Sequence, residues 1–426
     1  VNSLLRIPYS LAGRAANALV NALPPGESKF RRGLGARRGI IARYEAWSSA
    51  SRDRARPLVW FHAPSVGEGL QAQPVIDLLR ARRPDLQIAY TFYSPSAEQF
   101  AKSLDVDFVD YLPFDTIASA DAIVRALQPN ALIFSKLDIW PDLTERAAAA
   151  GVPVGVISAT LAESSGRRGI LARALLGDAY RAIGRVGAVD AKDAEHFREA
   201  GLASGKVEVT GDTRYDQVWT RAKRAPSPLV QSLRSARPTL VAGSTWPSDE
   251  THLLAAWTRL REKIPDARLI IAPHEIGTAH LTSVERWAKV HRLRVSRIDA
   301  REAAGADVVL VDRFGVLGDL YAIADVAYVG GGFHSAGLHS VLEPASFGAP
   351  VLFGTRYDKS RDAGKLIEAK GGASIKGEID LELRLRDWLG SVPARDVAGA
   401  AAKSMVQDGV GAAERSFALV SSLLDR

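Results

Sequence analysis

The chain contains no cysteine. Disulfides, iron–sulfur clusters, thiolate zinc sites and cysteine nucleophiles are thereby excluded, and the composition fits a reducing compartment. No apolar run approaches the roughly 18 residues that a bilayer-spanning helix needs. The first residues do not make a persuasive signal peptide, because Arg14 and Asn17 break the apolar run and arginines follow it. Also missing are a Gly-x4-Gly-Lys-Ser/Thr phosphate loop and an Asp-x-Asp metal motif after a strand. Acidic residues are in short supply only at one end. The 426 residues carry a formal charge of +7, yet residues 1–57 carry +8 and the remainder −1. A near-neutral body argues against a broad nucleic-acid-binding surface, and a basic arm points to an anionic partner near the N-terminus, such as a membrane surface. The length implies two or three domains, and 47% hydrophobic with 24% charged residues indicates a folded globular chain.

In the arm, Leu4, Leu5, Ile7, Leu11, Ala15, Ala18, Leu19 and Leu23 recur at three- and four-residue spacing, with Pro8 in the first turns and Pro24-Pro25-Gly26 as the stop. Lys29, Arg31, Arg32, Arg37, Arg38 and Arg43 follow. The pattern predicts an interfacial helix (1–24) on anionic lipid, or else a surface helix packed on the body with a solvated basic face.

Beyond it, short apolar strands alternate with helices, beginning with Leu58–His62, Leu86–Phe92 and Ala131–Phe134. This is the signature of a parallel sheet covered on both faces. Residues 219–238, rich in Arg, Lys and Pro, read as an interdomain linker. The pattern then restarts at Thr239. The expectation is two doubly wound (Rossmann-like) α/β domains, 25–218 and 239–400, facing a cleft, with a closing helix in 401–426. Ligands in such sheets bind at the carboxyl ends of the strands.

Chemistry-bearing residues gather at those ends. His62-Ala63-Pro64-Ser65-Val66-Gly67-Glu68 joins a strand to a helix. Ser65 and Glu68 have capping-box spacing and Gly67 permits close approach, while Glu68 can alternatively serve as a general base. His62 reads either as a site residue or as a core histidine. After the strand at 131, Lys136 can meet an anion and Asp138 a hydroxyl, or the segment is simply a turn before Pro141. Ser158 and Thr160, then Ser164, Ser165, Arg167 and Arg168, offer hydroxyls and guanidiniums to an anionic group. In the second half, the amides around Ser244 and Thr245 suit a phosphate, and Trp246 can line a wall. Pro273 and His274 follow another strand. Gly330-Gly331-Gly332 leads past His334, His339 and Ser340 to Glu343, which can hold ribose hydroxyls or cap its own helix. His334 and His339 lack a matching acidic ligand pattern, so no metal is expected.

Taken together, His62–Glu68, Trp140-Pro141, Gly211-Asp212, Gly243-Ser244-Thr245 and Gly330 through Leu342-Glu343-Pro344 resemble the bacterial 3-deoxy-D-manno-octulosonic acid (Kdo) transferases, over about residues 25–415. The resemblance implies a GT-B glycosyltransferase that moves Kdo from CMP-Kdo to a lipid A precursor (lipid IVA) in lipopolysaccharide synthesis, at the cytoplasmic face of the inner membrane. It implies inversion at the anomeric carbon, no metal and no cofactor besides the donor substrate, and Glu68 as the base. Acceptor-side residues would be His62, Ser65, Gly67, Lys136, Asp138, Ser158, Thr160 and Arg167. Donor-side residues would be Gly211, Asp212, Ser244, Thr245, Pro273, His274, Gly315, Gly331, Gly332, His339, Ser340 and Glu343. Three departures stand out. The family usually has Glu-Thr-Glu-Leu-Trp-Pro-Asn where this chain has Lys136 to Asp142, which bears on the acceptor or the number of sugars added. Many members have Pro-Arg-His-Pro-Glu-Arg where this chain has Pro273-His274-Glu275-Ile276, and Ser340 replaces a family asparagine. The rival readings are a GT-B enzyme with another acceptor or donor, a UDP-sugar epimerase, and a membrane scaffold without activity. The number of sugars added and the oligomeric state are not legible in the sequence.

Overall fold

Runs such as Leu58–His62 carry bulky side chains on both faces of a strand, so both faces need cover, and all five of these residues are buried. The computed structural model describes residues 3–22, 26, 28–137, 139–163, 165–224 and 226–425. Leu23, Pro24, Pro25, Asp138 and Ser164, singled out in the sequence, lie outside them. The chain divides into two compact units, Val1–Gln217 with Gly411–Arg426, and Val218–Val410.

The first unit holds strands β1 (Leu58–His62), β2 (Gln87–Phe92), β3 (Phe108–Tyr111), β4 (Ala131–Ser135), β5 (Val154–Ala159), β6 (Arg185–Ala188) and β7 (Val207–Val209). They form one parallel sheet in the order β3-β2-β1-β4-β5-β6-β7. The second unit repeats the plan with β8 (Thr239–Thr245), β9 (Arg268–Pro273), β10 (Val295–Arg297), β11 (Val308–Leu310), β12 (Val326–Val329), β13 (Val351–Phe353) and β14 (Gly372–Ser374), ordered β10-β11-β9-β8-β12-β13-β14. In each sheet the order reverses beside the first strand, between β1 and β4 and between β8 and β12. Crevices open at the carboxyl ends at such points.

Core residues cover both faces of the second sheet: Leu240, Trp257, Tyr328 and Leu385 belong to one cluster, and Val241, Ile270, Val309 and Tyr321 to another. Residues 219–238 are not a free linker. Helices Arg214–Lys223 and Pro228–Ser232 occupy half of this segment, and Val230 and Leu233 are buried in the second unit's core. The closing segment also divides later than residue 400. Helix Val392–Asp408 belongs to the second unit, whereas helix Ala412–Leu424 gives Leu419, Val420 and Leu423 to the first unit's core. Strands β10 and β14, with few apolar residues, were outside the predicted pattern.

The N-terminal helix, Ser3–Ala22, packs on the first unit. Its inward face is polar and small. The Tyr9 hydroxyl donates to Asp115 at 2.7 Å, a Cβ on Gly13 would stand 2.7 Å from Thr116, and Asn17 reaches Ser119 at 3.4 Å. The Arg38 guanidinium donates to the Val20 carbonyl at the helix end, where a cation is favoured. Leu11, Ala15, Ala18, Leu19 and Ala22 face outward. The basic arm is not one solvated stripe. Arg37 is buried, donates to the carbonyls of Gly33, Tyr93 and Leu112, and lies over the rings of Tyr93, Tyr111 and Phe114. Arg43 bridges Asp110, and Arg52 is buried on Gln87 and backbone carbonyls. Lys29, Arg31 and Arg32 remain exposed beside Phe30, which is 64% exposed.

Two predictions follow from these contacts. Asp115 accepts the Tyr9 hydroxyl and the amides of Asp142 and Leu143, yet burial outweighs them and pushes its carboxyl up to about 6. Because the folded value lies above the unfolded one, stability falls as pH rises from about 4 to about 6. Asp115→Asn should flatten that slope in denaturant titrations. In the second unit, a Cβ on Gly332 would stand 2.4 Å from the Gly354 amide. Gly332→Ala should therefore destabilise the protein by about 2 kcal/mol or more, read from the same titrations.

Candidate active site

In the first unit the reversal point places the loop after β1 against the end of β4. Helix Val66–Arg82 starts there, with Glu68 in its first turn. Ser65 is expected to cap this helix, but its hydroxyl turns to the Glu68 carboxylate instead and donates a short hydrogen bond to Oε2. Lys136 Nζ lies 3.1 Å from the other oxygen, Oε1. The Glu68 side chain is 17% exposed and that of Lys136 47%. Burial raises the Glu68 pKa, but the Ser65 hydroxyl and then the Lys136 ammonium outweigh it and hold the carboxyl below its usual value. The Ser135 hydroxyl donates to the Glu68 carbonyl at 2.8 Å, and the Thr213 hydroxyl to the Gln71 carbonyl at 2.5 Å, so the first turns are held from two sides. Gly67 is exposed, has an ordinary φ, and has only the Ser65 hydroxyl within 4 Å of a would-be Cβ. Its backbone is open to a ligand.

His62 is not a ligand-facing residue. It is fully buried, and its two ring nitrogens are both engaged. Nε2 accepts from the Trp140 indole at 3.0 Å, which leaves Nδ1 to donate to the Thr91 hydroxyl, also at 3.0 Å. That hydroxyl also accepts from the Trp60 indole. Burial pushes the His62 imidazole down to about 3, so it stays neutral. Its work is to orient Trp140, which packs on Tyr93 at a ring distance of 4.9 Å.

Ser158 is also spent internally. It is buried with a left-handed φ of 48° and pairs with the Thr213 hydroxyl at 2.9 Å. Thr160 and Arg167 stand half-buried in the segment after β5. Gly211 and Asp212, expected on the donor side, lie in the first unit. Gly211 has a φ of 93° and abuts Ala412, and Asp212 is held by Arg214 and by Gln71 at 3.1 Å. Their role is to fix the helix that carries Glu68. Asp138 lies outside the described residues.

In the second unit the reversal point brings β8 and β12 together so closely that a Cβ on Gly330 would meet the Ser244 carbonyl at 2.2 Å. This contact, and that of Gly332 with Gly354, explain the glycines. The loop is not a wholly open phosphate cradle, because several of its amides are already used. Gly330 donates to Gly243, and Gly331 and Phe333 donate to Asp249 at 2.8 and 3.1 Å. Asp249 is fully buried and also accepts from the Trp246 amide and the Tyr328 hydroxyl. Sequence reasoning missed it, although an acid at the third position of a helix following a strand was an available signal. Thr245 is buried and donates to Glu250 at 2.6 Å, and Glu250 in turn meets His280 at 2.7 Å.

Around this frame four rings stack. Trp246 lies between His334 at 3.9 Å and His274 at 4.4 Å, and His339 follows His274 at 4.6 Å. Burial and then the neighbouring imidazoles lower the His339 pKa. Among the described residues, Ser244 and Ser340 find no side-chain hydrogen-bond partner. Pro273 is a buried strand end, and Gly315, with a φ of 86°, serves an open turn beside the exposed Phe314. Glu343 sits 3.4 Å from Arg221, and its pKa is raised by burial despite that cation. A cavity of about 830 Å³ adjoins Trp246, between helices Pro247–Lys263 and Thr278–Val290, with Trp287, Leu254, Arg259 and His280 in its wall. Among the described residues, no group of three or more His, Asp or Glu is gathered as for a metal ion.

Residues 33–217 match the family model described as 3-deoxy-D-manno-octulosonic-acid transferase (kdotransferase). The chain is 26% identical over 397 residues to the 3-deoxy-D-manno-octulosonic acid transferase of Haemophilus influenzae, covering 92% of each chain. It is 27% identical to that of Aquifex aeolicus, covering 78% of this chain and 86% of the relative. Among solved structures, the UDP-GlcNAc 2-epimerase of Neisseria meningitidis bound to UDP-GlcNAc is similar at a TM-score of 0.62 and 15% identity, over 87% of this chain and 100% of that one. The corresponding epimerase of Methanocaldococcus jannaschii gives 0.55 at 11%, over 82% and 99%. These structures share the fold, two parallel α/β domains of the GT-B kind. Both the family model over residues 33–217 and the sequence relatives over most of the chain make it similar to the 3-deoxy-D-manno-octulosonic acid transferases.

Proposed function

We propose that this protein transfers Kdo from CMP-Kdo to a lipid A precursor such as lipid IVA, with inversion at the anomeric carbon. The observation that carries the reading is Glu68, a mostly buried carboxylate at the reversal point of the first sheet, within the segment that matches the family. In this reading the acceptor hydroxyl attacks the anomeric carbon, and its proton passes to the Glu68 carboxylate. The new carbon–oxygen bond forms as the bond to the CMP phosphate breaks, and CMP leaves with the electron pair. A single departing phosphate calls for modest charge stabilisation, and hydroxyls, amides and imidazoles suffice without a metal. Ser244, Ser340, His274 and His339 are the groups assigned to the donor. The glycine loop supplies rigidity rather than amides.

The protein is further proposed to work on the cytoplasmic face of the inner membrane. Among the described residues, no helix is long and apolar enough to cross a membrane. Support comes from the outward apolar stripe of helix Ser3–Ala22, with Leu11 57% exposed, and from Lys29, Phe30, Arg31 and Arg32 beside it.

Three measurements test this reading. Glu68→Gln should lower the transfer rate by about 100-fold or more while titration calorimetry shows unchanged CMP-Kdo binding; normal turnover would end the base assignment. Wild-type protein given UDP-N-acetylglucosamine should return it unchanged, and release of UDP or an epimer would favour the epimerase reading. On vesicles containing anionic lipid, the triple variant Leu11→Asp, Leu19→Asp, Phe30→Asp should no longer float with the lipid. Undiminished flotation would reduce the arm to a packed surface helix.

A further inference from the structure

We infer that Lys136 is the residue that binds an anionic group of the incoming acceptor, and that this anion must take the ammonium away from Glu68. The inference rests on the reading of Glu68 as the base. Its ground is the geometry of the pair. Each Glu68 oxygen has its own donor, Ser65 on one and Lys136 on the other. The two donors differ in freedom. Ser65 is a short side chain fixed at the helix start, whereas Lys136 is a long, half-exposed side chain whose one partner among the described residues is Glu68. Its backbone, by contrast, is fixed. The residue adopts a left-handed φ of 67°, and its amide donates to the Ile157 carbonyl at 2.8 Å. The ammonium therefore swings from an immobile root at the mouth of the site.

The Lys136 end of the pair is half-exposed, so its ammonium can change partners without a large desolvation cost. A phosphate brought beside Glu68 offers Lys136 more anionic oxygens than the Glu68 carboxylate does, and an incoming carboxylate offers as many without the oxygen already bound by Ser65. The exchange also serves the chemistry. An ammonium beside a carboxylate makes it a weaker base. Removing it restores basicity only when an acceptor is in place. Among the described residues, the other titratable group facing Glu68 is Tyr90, whose hydroxyl is buried and kept neutral by burial and by Glu68 itself. It offers no competing cation. The shared chemistry is an anionic oxygen group, and it has two sources, a phosphate of the lipid or the carboxylate of the sugar acid.

The test is a binding measurement on the full chain in detergent micelles. The probes are the lipid A precursor with its phosphates, the same lipid with phosphates removed, and free Kdo. Wild type should prefer the phosphorylated lipid by several-fold, Lys136→Arg should retain the preference, and Lys136→Met should lose it. Glu68→Gln should bind the phosphorylated lipid several-fold more tightly than wild type, since the internal rival for the ammonium is gone. Should Lys136→Met instead weaken Kdo binding and leave the lipids alike, the anion site stands and its ligand is the sugar carboxylate. In turnover, Lys136→Met should move the acidic limb of the kcat/KM profile to higher pH. Unchanged ligand preferences in Lys136→Met, or weaker lipid binding by Glu68→Gln, would overturn the proposal. Full transfer by Glu68→Gln would overturn the base assignment and leave the binding results standing, so the two failures are distinguishable.

Discussion

Each unit depends on one buried aspartate that accepts backbone amides at the reversal point of its sheet. In the second unit Asp249 gathers the amides of Trp246, Gly331 and Phe333 and the hydroxyl of Tyr328. In the first, Asp115 gathers the amides of Asp142 and Leu143 and the hydroxyl of Tyr9. A carboxylate taken out of water without donors costs several kcal/mol, so these donors must stay where they are. The loops that carry the ligand-facing residues are fixed as a by-product. The helix following Trp140 and the loop preceding His334 owe their places to carboxylates that never meet a ligand.

On that frame the two sites differ in character. The first is polar and charged, with a carboxylate balanced between a hydroxyl and an ammonium. The second is aromatic, with an indole sandwiched by imidazoles at 3.9 and 4.4 Å. A carboxylate at a helix start, proposed as a base, faces a physical tension, because the helix dipole favours its charged, weakly basic form. Burial of Glu68 opposes that tendency, and Ser65 and Lys136 reinforce it. The balance is therefore set by a movable group rather than by the fold alone.

Much of this was legible in the sequence. Strands buried on both faces read as apolar runs, which is why β1, β2 and β12 stood out. β10 (Val295–Arg297) and β14 (Gly372–Ser374) did not, because they carry few apolar residues. The segment after residue 218 read as a linker because its charges masked the packing of Val230 and Leu233. The grouping of Ser65, Glu68 and Lys136 followed from their positions at the ends of β1 and β4. What each group does there depended on distant partners. Nothing near His62 announces Thr91 or Trp140, so the sequence left it open between a site residue and a core histidine. Asp249 was missed for the same reason, since Gly331 and Phe333 lie more than 80 residues away. The glycine loop was recognised but the close contacts that require its glycines were not, as backbone-to-backbone contact leaves no mark beyond the glycines themselves.

Lys136, Ser158 and Ser244 share one property: each is a non-glycine residue with a left-handed backbone at or just beyond the carboxyl half of a strand. β-Branched and bulky residues rarely tolerate that conformation, whereas glycine and asparagine adopt it readily. The consequence is a restricted vocabulary for sequence drift at these three places. Valine, isoleucine and threonine are barred by the main chain, whatever the ligand. A residue that persists there over glycine or asparagine is retained for its side chain, and an ammonium at position 136 is thus a choice made by chemistry rather than by conformation.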